Sequence, residues 1–423
     1  MQTIEAALEQ YSRAAFYRIT IQIHFFMSKL LVALSLVVIV VCHQACTSNQ
    51  ETQAAENQKS TSANPLDFVI SRVKSVDYPA RAGAFPRSLE PNGEVRKVPS
   101  KDWTSGFYPG VLWYAFELSK DPAIKKRAEE WTWLVEPEKT NDRTHDMGFK
   151  INCSFGNAYR LTSNEDYKAV ILESAATLAT RYNDTVGCIR SWDFNRETWD
   201  FPVIIDNMMN LELLFLATQY AGDSSYYDIA YQHAKTTLEN HFREDNSSYH
   251  VVDYDPETGE VRMKVTHQGI SDESSWARGQ AWGLYGFTMA YRFTKDSSFL
   301  KKAQAIYQYM FSHPSLPGDL IPYWDYDAPD DNKPRDVSAA TVTASALYEL
   351  SDFSANSNMR EHADQILANL MKNYTVPENA PHPFILDHST GNMPKTDEVD
   401  VPISYADYYF IEALLRQKEL DLR

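Results

Sequence analysis

The chain has few cysteines and fewer basic than acidic side chains. Four cysteines occur in 423 residues, none in a Cys-x-x-Cys spacing, so a structural zinc site is not expected. Cys153 and Cys188 are expected to be buried thiols, with a disulfide between them as the alternative. Lysine and arginine number 40 against 57 aspartates and glutamates, a formal net charge of −17. A chain this acidic is not expected to bind nucleic acid, and an anionic ligand would need a local basic site.

Long hydrophobic runs are also scarce. An apolar run of 13 residues covers positions 30–42; it is too short to span a bilayer comfortably and has the length of a signal-peptide core. Ala45-Cys46 and a polar stretch follow it. This arrangement resembles a bacterial lipoprotein signal over residues 1–46, with Met27 as a possible start, Cys46 as the lipidated residue and residues 47–64 as a flexible tether. A plain cleaved signal is the alternative. We therefore expect a periplasmic or outer-membrane location, with a lipid anchor at Cys46.

Patterns typical of β-strands are rare after the tether. Residues 249–254 and 261–265 flank the turn Pro256-Glu257-Thr258-Gly259, which predicts one small β-hairpin insert. Elsewhere the apolar residues recur at helical spacing, as in Phe299, Ala303, Ile306 and Tyr307. The sequence therefore predicts an all-α fold.

The helical segments alternate in pairs, each pair joined by a short turn. Asp, Asn or Ser residues begin the second segment of several pairs, as expected for N-caps. Twelve helices in six hairpins predict a closed (α/α)6 barrel as one catalytic domain over residues 65–423, with an open helical solenoid as the alternative. Closure is favoured because no polar capping repeat is visible. Predicted inner helices are 106–119, 147–162, 206–221, 277–294, 336–354 and 404–418; predicted outer helices are 66–76, 122–138, 165–182, 224–242, 296–313 and 357–374.

Two acids lie at the start of neighbouring inner helices. Asp146 stands in His145-Asp146-Met147-Gly148, and Asp206 follows the apolar pair Ile204-Ile205. Parallel inner helices would gather these starts at one rim, where helix N-termini favour anions. Paired carboxylates in a partly apolar pocket have divergent pKa values, so one can stay protonated as an acid. The alternative is that both side chains only cap their helices.

Further polar and aromatic residues are expected at the same rim. Arg278, in the segment Trp276 to Gly283, has a planar guanidinium suited to binding a carboxylate. Trp282 is one turn further along that helix, and core packing is the alternative to sugar stacking for its ring. The remaining candidates for substrate contact precede inner helices or lie near the hairpin: Trp103, Trp192, His250, His267 and Gln268.

Five of these motifs in order resemble one known family. They are His145 to Phe149, Asp206 to Asn210, Trp276 to Gly283 (WARGQAWG), Arg335 to Ala340 and Asp400 to Leu414 (DVPISYADYYFIEAL). Over about residues 65–420 the chain is similar to the unsaturated glucuronyl hydrolases of glycoside hydrolase family 88.

The resemblance implies a reaction and roles for particular residues. Family members have an (α/α)6 barrel and remove the 4,5-unsaturated uronic acid that a polysaccharide lyase leaves at the non-reducing end of an oligosaccharide. By this resemblance Asp206 protonates C4 of the vinyl ether and assists water addition at C5, while Asp146 orients Asp206 or the substrate hydroxyls. Arg278, Trp282, His250, Gln268 and Trp103 match substrate-contacting positions, and neither a metal nor an organic cofactor is expected.

Three other functions remain open from the residues. The first is an unsaturated rhamnogalacturonyl hydrolase acting on pectin fragments, the second a non-catalytic glycan-binding lipoprotein. The third is an inverting glycosidase, whose carboxyl groups would lie about 6.5–9.5 Å apart. The sequence does not identify the parent polysaccharide, and only Lys395 is placed to contact a sulfate.

Overall fold

The structure is a computed structural model that describes residues 64–330 and 333–423. The expected signal segment 1–46, its Cys46 and residues 47–63 of the expected tether lie outside the described residues. No helix of the described part of the chain is long and apolar enough to cross a membrane. Residues from Pro65 to the C-terminus belong to one compact unit.

In the described part of the chain, twelve α-helices alternate between an inner and an outer layer, at the positions that the periodicity predicts. The inner helices are built around the apolar segments, and all but the second are regular throughout. The inner helices are α2 (Phe107–Ser119), α4 (Asn157–Thr162, continuing a π-helix at Gly148–Gly156), α6 (Asn207–Ala221), α8 (Ala277–Thr294), α10 (Val337–Asp352) and α12 (Ser404–Asp421). The outer helices are α1 (Pro65–Ser75), α3 (Pro122–Trp133), α5 (Glu165–Ala179), α7 (Ser224–Asn240), α9 (Ser297–Ser312) and α11 (Asn358–Asn373).

The turns from inner to outer helix share one local structure. Four inner helices end at a residue with left-handed backbone, namely Lys120, Ser163, Gly222 and Lys295. The next residue is an Asp or Asn whose side chain accepts a hydrogen bond from a backbone N–H at the start of the outer helix. Such an N-cap satisfies one of the free N–H groups of the new helix. The N-caps predicted at these four positions are therefore confirmed.

The inner helices close into a ring. Each packs against the next in chain order, and α12 packs back against α2. Helices α8 and α10 are buried on nearly every side, as expected for helices surrounded by other helices. The outer helices bury only a stripe, which in α9 includes Phe299, Ala303 and Ile306. The closed (α/α)6 barrel is confirmed, and the open solenoid is excluded.

Two predicted helices differ from those observed. The predicted helix 122–138 ends at Trp133, and a separate 3₁₀ turn covers Glu136–Thr140. Pro137 explains the break, because proline lacks the N–H that would bond the carbonyl of Trp133 in a continued α-helix. The predicted helix 147–162 begins as a nine-residue π-helix. This conformation is rare in proteins overall, and where it occurs it is often at a functional site.

The prediction of a single β-hairpin is incomplete. Strands β6 (Val251–Tyr254) and β7 (Val261–Val265) form the predicted hairpin, and β5 (Phe201–Ile204) extends it to three strands. Three further hairpins were not predicted, because their strands have two to five residues and little alternation. These are β1–β2 (Phe85–Leu89, Val95–Val98), β3–β4 (Tyr182–Asn183, Cys188–Ile189) and β8–β9 (Ser389–Asn392, Asp397–Val401).

Cys153 and Cys188 are both buried and free. The expectation of two buried thiols rather than a disulfide is confirmed. Burial raises the pKa of both thiols, so neither is a reactive thiolate.

Candidate active site

A cavity of about 310 Å³ opens at the end of the barrel where the inner helices begin. Its wall combines helix starts with the unpredicted strands, since β1 supplies Arg87 and the β8–β9 hairpin supplies Gly391 and Asn392. Seven of the nine candidate residues line it: Trp103, Asp146, Trp192, Asp206, His267, Gln268 and Arg278. Trp282 and His250 lie behind this wall. Within residues 64–330 and 333–423, no three His, Cys, Asp or Glu side chains are grouped to hold a metal ion.

Asp206 is the buried acid of the site. It directly precedes α6, but its side chain makes no capping hydrogen bond, so it is not a helix cap. The side chain is 12% exposed, and Oδ2 accepts no hydrogen bond from any described residue. Burial, assisted by the negative charge of Asp146 and opposed by Arg278, raises the pKa of Asp206 to about 7. Asp206 can therefore hold a proton near neutral pH.

His250 lies directly behind Asp206. Its Nδ1 accepts hydrogen bonds from the backbone N–H groups of His267 and Gln268, both at 3.1 Å. The ring proton must then be on Nε2, which is 3.7 Å from Asp206 Oδ2. Burial lowers the pKa of His250 well below its usual value. A neutral His250 thus presents an N–H toward the acid, and the contact of its ring with substrate stays a prediction.

Asp146 lies on the neighbouring helix start and remains partly open to the cavity. Thr144 Oγ1 donates to its Oδ2 at 2.7 Å, and His145 Nε2 is 3.3 Å from its Oδ1. Burial lowers the pKa of His145, so this ring is neutral at pH 7. Asp146 is therefore held by the Thr144 hydroxyl beside a neutral imidazole and can act as the second carboxylate.

Asn210 fixes the spacing of the two acid-bearing segments. Its Oδ1 accepts from Phe149 N–H at 3.0 Å, on the π-helix that follows Asp146, while Nδ2 donates to the carbonyl of Asp206 at 3.4 Å. Gly148 permits this approach, since a Cβ there would lie 2.6 Å from Asn210 Cα. The π-helix and α6 are thus joined where the acids project.

Arg278 lines the cavity, but part of its guanidinium is already bonded within the protein, and its role as a carboxylate clamp stays a prediction. The side chain is 2% exposed, and its Nη1 bonds to Asp336 Oδ2 and to the carbonyl of Thr390, both at 2.6 Å. Nη2 donates to the carbonyl of Gly391 at 2.6 Å. The guanidinium holds the β8–β9 hairpin against α10 and places a positive charge near Asp206.

Trp282 is packed inside the protein, and the stacking of its ring on a sugar stays a prediction. The residue is fully buried, and its ring packs 5.2 Å from Phe149 and 5.6 Å from Tyr409. Its indole N–H acts on Asp206 by lowering the pKa of that carboxyl, against the larger effect of burial. Core packing, the alternative at the sequence level, is what the structure shows.

The other candidates lie at the cavity wall. Trp103 packs against Tyr405 with ring centroids 5.0 Å apart. Gln268 Nε2 donates to the carbonyl of Gly391 at 2.9 Å, which leaves its Oε1 to accept from a sugar hydroxyl. Lys395 Nζ lies 3.5 Å from His267 Nε2, and burial together with this ammonium lowers the pKa of His267.

Sequence reasoning missed several residues of the wall. Tyr405 lies in one of the polar clusters at an inner helix start, so that signal was available. Arg87, Phe194 and Asn392 come from short strands and loops, where no periodicity marks them. His145 was noticed only as a neighbour of Asp146.

A buried carboxyl that keeps its proton near neutral pH, beside a second carboxylate, is how glycoside hydrolases supply an acid to a sugar. The fold and this pair of acids define that class. Residues 84–372 match the family described as Glycosyl Hydrolase Family 88. The chain belongs to this family and is an unsaturated glucuronyl hydrolase. The resemblance seen in the five sequence motifs is therefore confirmed.

The chain is similar to characterised members over most of its length. It is 54% identical over 354 residues to the unsaturated glucuronyl hydrolase of Formosa agariphila, covering 83% of this chain and 88% of the relative. It is 33% identical to the unsaturated chondroitin disaccharide hydrolase of Streptococcus pyogenes serotype M1, covering 83% of this chain and 90% of that relative. The crystal structure of an unsaturated glucuronyl hydrolase specific for heparin is similar with a TM-score of 0.81 and 45% identity, covering 84% of this chain and 96% of that one.

Proposed function

We propose that the protein removes the 4,5-unsaturated uronic acid from the non-reducing end of oligosaccharides that a lyase has cut from glycosaminoglycans. The observation that carries the proposal is Asp206, a buried carboxyl whose pKa of about 7 lets it donate a proton at neutral pH. The relatives are named for unsaturated glucuronyl, chondroitin and heparin substrates, which supports this substrate class over pectin fragments.

The reaction needs one proton donor that can also act as a base. Protonated Asp206 gives its proton to C4, the C4=C5 double bond is lost, and positive charge is shared between C5 and the ring oxygen. Water then adds to C5 and gives a proton back to the Asp206 carboxylate, so the enzyme is unchanged. The C5 hemiketal opens to a ketone, and the C1 hemiacetal releases the remaining oligosaccharide as an alcohol.

The groups around Asp206 suit both stages of this reaction. The N–H of neutral His250 and the indole N–H of Trp282 can stabilise the carboxylate after it has lost its proton. Arg278 adds a positive charge that keeps the pKa of Asp206 from rising further. Asp146, bonded to Thr144 and beside neutral His145, would accept hydrogen bonds from substrate hydroxyls and orient the attacking water.

The test is the loss of ultraviolet absorbance of the C4=C5 double bond. Unsaturated disaccharides from chondroitin, hyaluronan and heparin, sulfated and unsulfated, should be hydrated at rates far above a rhamnose-linked unsaturated disaccharide. Turnover of the rhamnose-linked substrate alone would indicate that the protein acts on pectin fragments instead. Measurable binding without any loss of absorbance would contradict the catalytic proposal.

We further propose that the mature protein is attached to a membrane by a lipid on Cys46 and acts in the periplasm or at the outer membrane. The support is the sequence before the barrel, an apolar run followed by Ala45-Cys46 and a polar stretch long enough to act as a tether. Expressed in a bacterial host, the full chain should label with a radioactive fatty acid and sediment with membranes. Cys46→Ala should lose both properties; soluble, unlabelled wild-type protein would indicate a simple cleaved signal.

A further inference from the structure

Trp276 is a large buried side chain that lies beside the site but does not line the cavity. It directly precedes α8 and is 3% exposed. Gly279 makes room for the indole, because a Cβ there would lie 2.8 Å from Cε3 of Trp276 and 3.4 Å from Cγ2 of Ile205. The ring therefore lies against the first turn of α8, close to the residue that precedes Asp206.

Two groups that lie near Asp206 pack against this indole. The His250 ring is 4.6 Å from the Trp276 ring, with 39° between the two planes. The guanidinium carbon of Arg278 is 4.6 Å from the indole centroid, within the range of a cation–π contact. Trp192 meets the His250 ring only edge-on, at 6.0 Å. Trp276 is thus the closer aromatic support of the imidazole.

The free edge of the His250 ring faces the acid. Nε2 is 3.7 Å from Asp206 Oδ2, and neither atom has a hydrogen-bond partner among the described residues. This separation is too long for a hydrogen bond. Once Asp206 has given up its proton, a small movement would bring the N–H of His250 within reach of the carboxylate. Because Nε2 has no other partner, the direction of its N–H depends on the packing of the ring.

We propose that Trp276 is a positioning residue, which acts through His250 to keep a neutral N–H aimed at Asp206 and to keep water away from this pair. The inference rests on the proposed function, in which Asp206 is first an acid and then a base. Trp276 is not expected to touch substrate, because it lies outside the cavity wall.

The charges around the pair come from other side chains. The titratable and charged groups that act on Asp206 or His250 are Asp146, Arg278, His145, His241 and His267. Burial lowers the pKa of these three histidines. A substitution of Trp276 leaves all five groups in the protein and chiefly changes the burial of the pair.

Trp276→Leu removes the flat support and admits water beside His250. Burial is the largest cause of the raised pKa of Asp206 and of the lowered pKa of His250, so both should return toward their usual values. Less Asp206 then holds its proton at neutral pH, and the fall of kcat/KM with rising pH should move down by about 0.5 pH unit or more. At its optimum kcat should fall by about 10²-fold through misplacement of the N–H, while KM should change by less than about twofold.

Two further variants distinguish positioning from general loss of structure. Trp276→Phe keeps an aromatic ring against His250 and should recover most of kcat and the wild-type pH profile. Trp113→Leu removes a fully buried tryptophan of α2 that is bonded to Thr132, so it should lower the free energy of unfolding without moving the pH profile. A pH profile of Trp276→Leu at the wild-type position, or an equal movement in Trp113→Leu, would overturn the proposal.

Nuclear magnetic resonance of histidine labelled with ¹⁵N gives a readout that needs no turnover. The wild-type His250 signal, assigned by its loss in His250→Gln, should show a neutral ring protonated on Nε2 from about pH 5 to 8. In Trp276→Leu the ring should begin to gain a second proton within that range; if this variant does not fold, Trp276→Met also lacks a flat ring and takes its place. A ring that stays neutral throughout would contradict the proposal. Absence of wild-type turnover on every unsaturated disaccharide would contradict only the proposed function.

Discussion

Asp206→Asn is expected to lower kcat on an unsaturated disaccharide by about 10²- to 10⁴-fold, the range for loss of a general acid. The amide has nearly the shape of the carboxyl but has no proton to give to C4. Since Asp206 Oδ2 has no hydrogen bond to another described residue, the substitution removes no hydrogen bond at that oxygen. KM should therefore change little, and single-turnover absorbance kinetics would measure the loss. Near wild-type turnover would remove Asp206 from its role.

Two further readouts separate loss of the acid from loss of structure. Wild-type kcat/KM should fall as pH rises through about 7, because Asp206 ionises there. The pKa of Asp206 is raised on folding, so the unfolded chain gives up this proton first, and folding stability falls between about pH 4 and 7. Asp206→Asn should gain stability relative to wild type over that window, by a few kcal/mol at most. Asp200→Asn, a control whose half-exposed carboxylate pairs with Arg262, should leave kcat unchanged.

Arg278→Met is expected to lower the free energy of unfolding by about 3–5 kcal/mol, the range for breaking a buried ion pair. The change leaves the Asp336 carboxylate buried without its partner and frees the carbonyls of Thr390 and Gly391. Because Gly391 lines the cavity, kcat/KM should fall as well. Urea unfolding measures the stability. If Arg278 only clamped the substrate, KM alone would rise and the unfolding midpoint would stay the same.

Restoring charge balance should recover part of that loss. Asp336→Asn keeps an oxygen for the N–H groups of Ser338 and Ala339, which Asp336 caps at the start of α10. The double variant Arg278→Met with Asp336→Asn should therefore be more stable than Arg278→Met alone. If the losses of unfolding free energy in Arg278→Met and Asp336→Asn simply added in the double variant, the ion pair would not be what holds the β8–β9 hairpin.

Features encoded by neighbouring residues were predicted well. The stripe in α9 and the Asp or Asn N-caps of four outer helices were read directly, because a helix brings residues three and four apart onto one face. The two acids were also found from neighbouring residues, since each stands at the start of an apolar helical stretch. The protein partners of Trp282 and Arg278 were not predicted, because position on a helix does not say which groups a side chain contacts.

The sequence by itself determined the closed helical barrel, its family and the pair Asp146 and Asp206, since these follow from local periodicity and from motifs in order. Tertiary structure alone decided what each polar group does. Arg278 meets Asp336, Thr390 and Gly391 across 58, 112 and 113 residues, and the pKa of Asp206 depends on burial by segments that are remote in the chain. Electrostatic energies depend on distance and solvent exposure, and neither is set until the ring has closed.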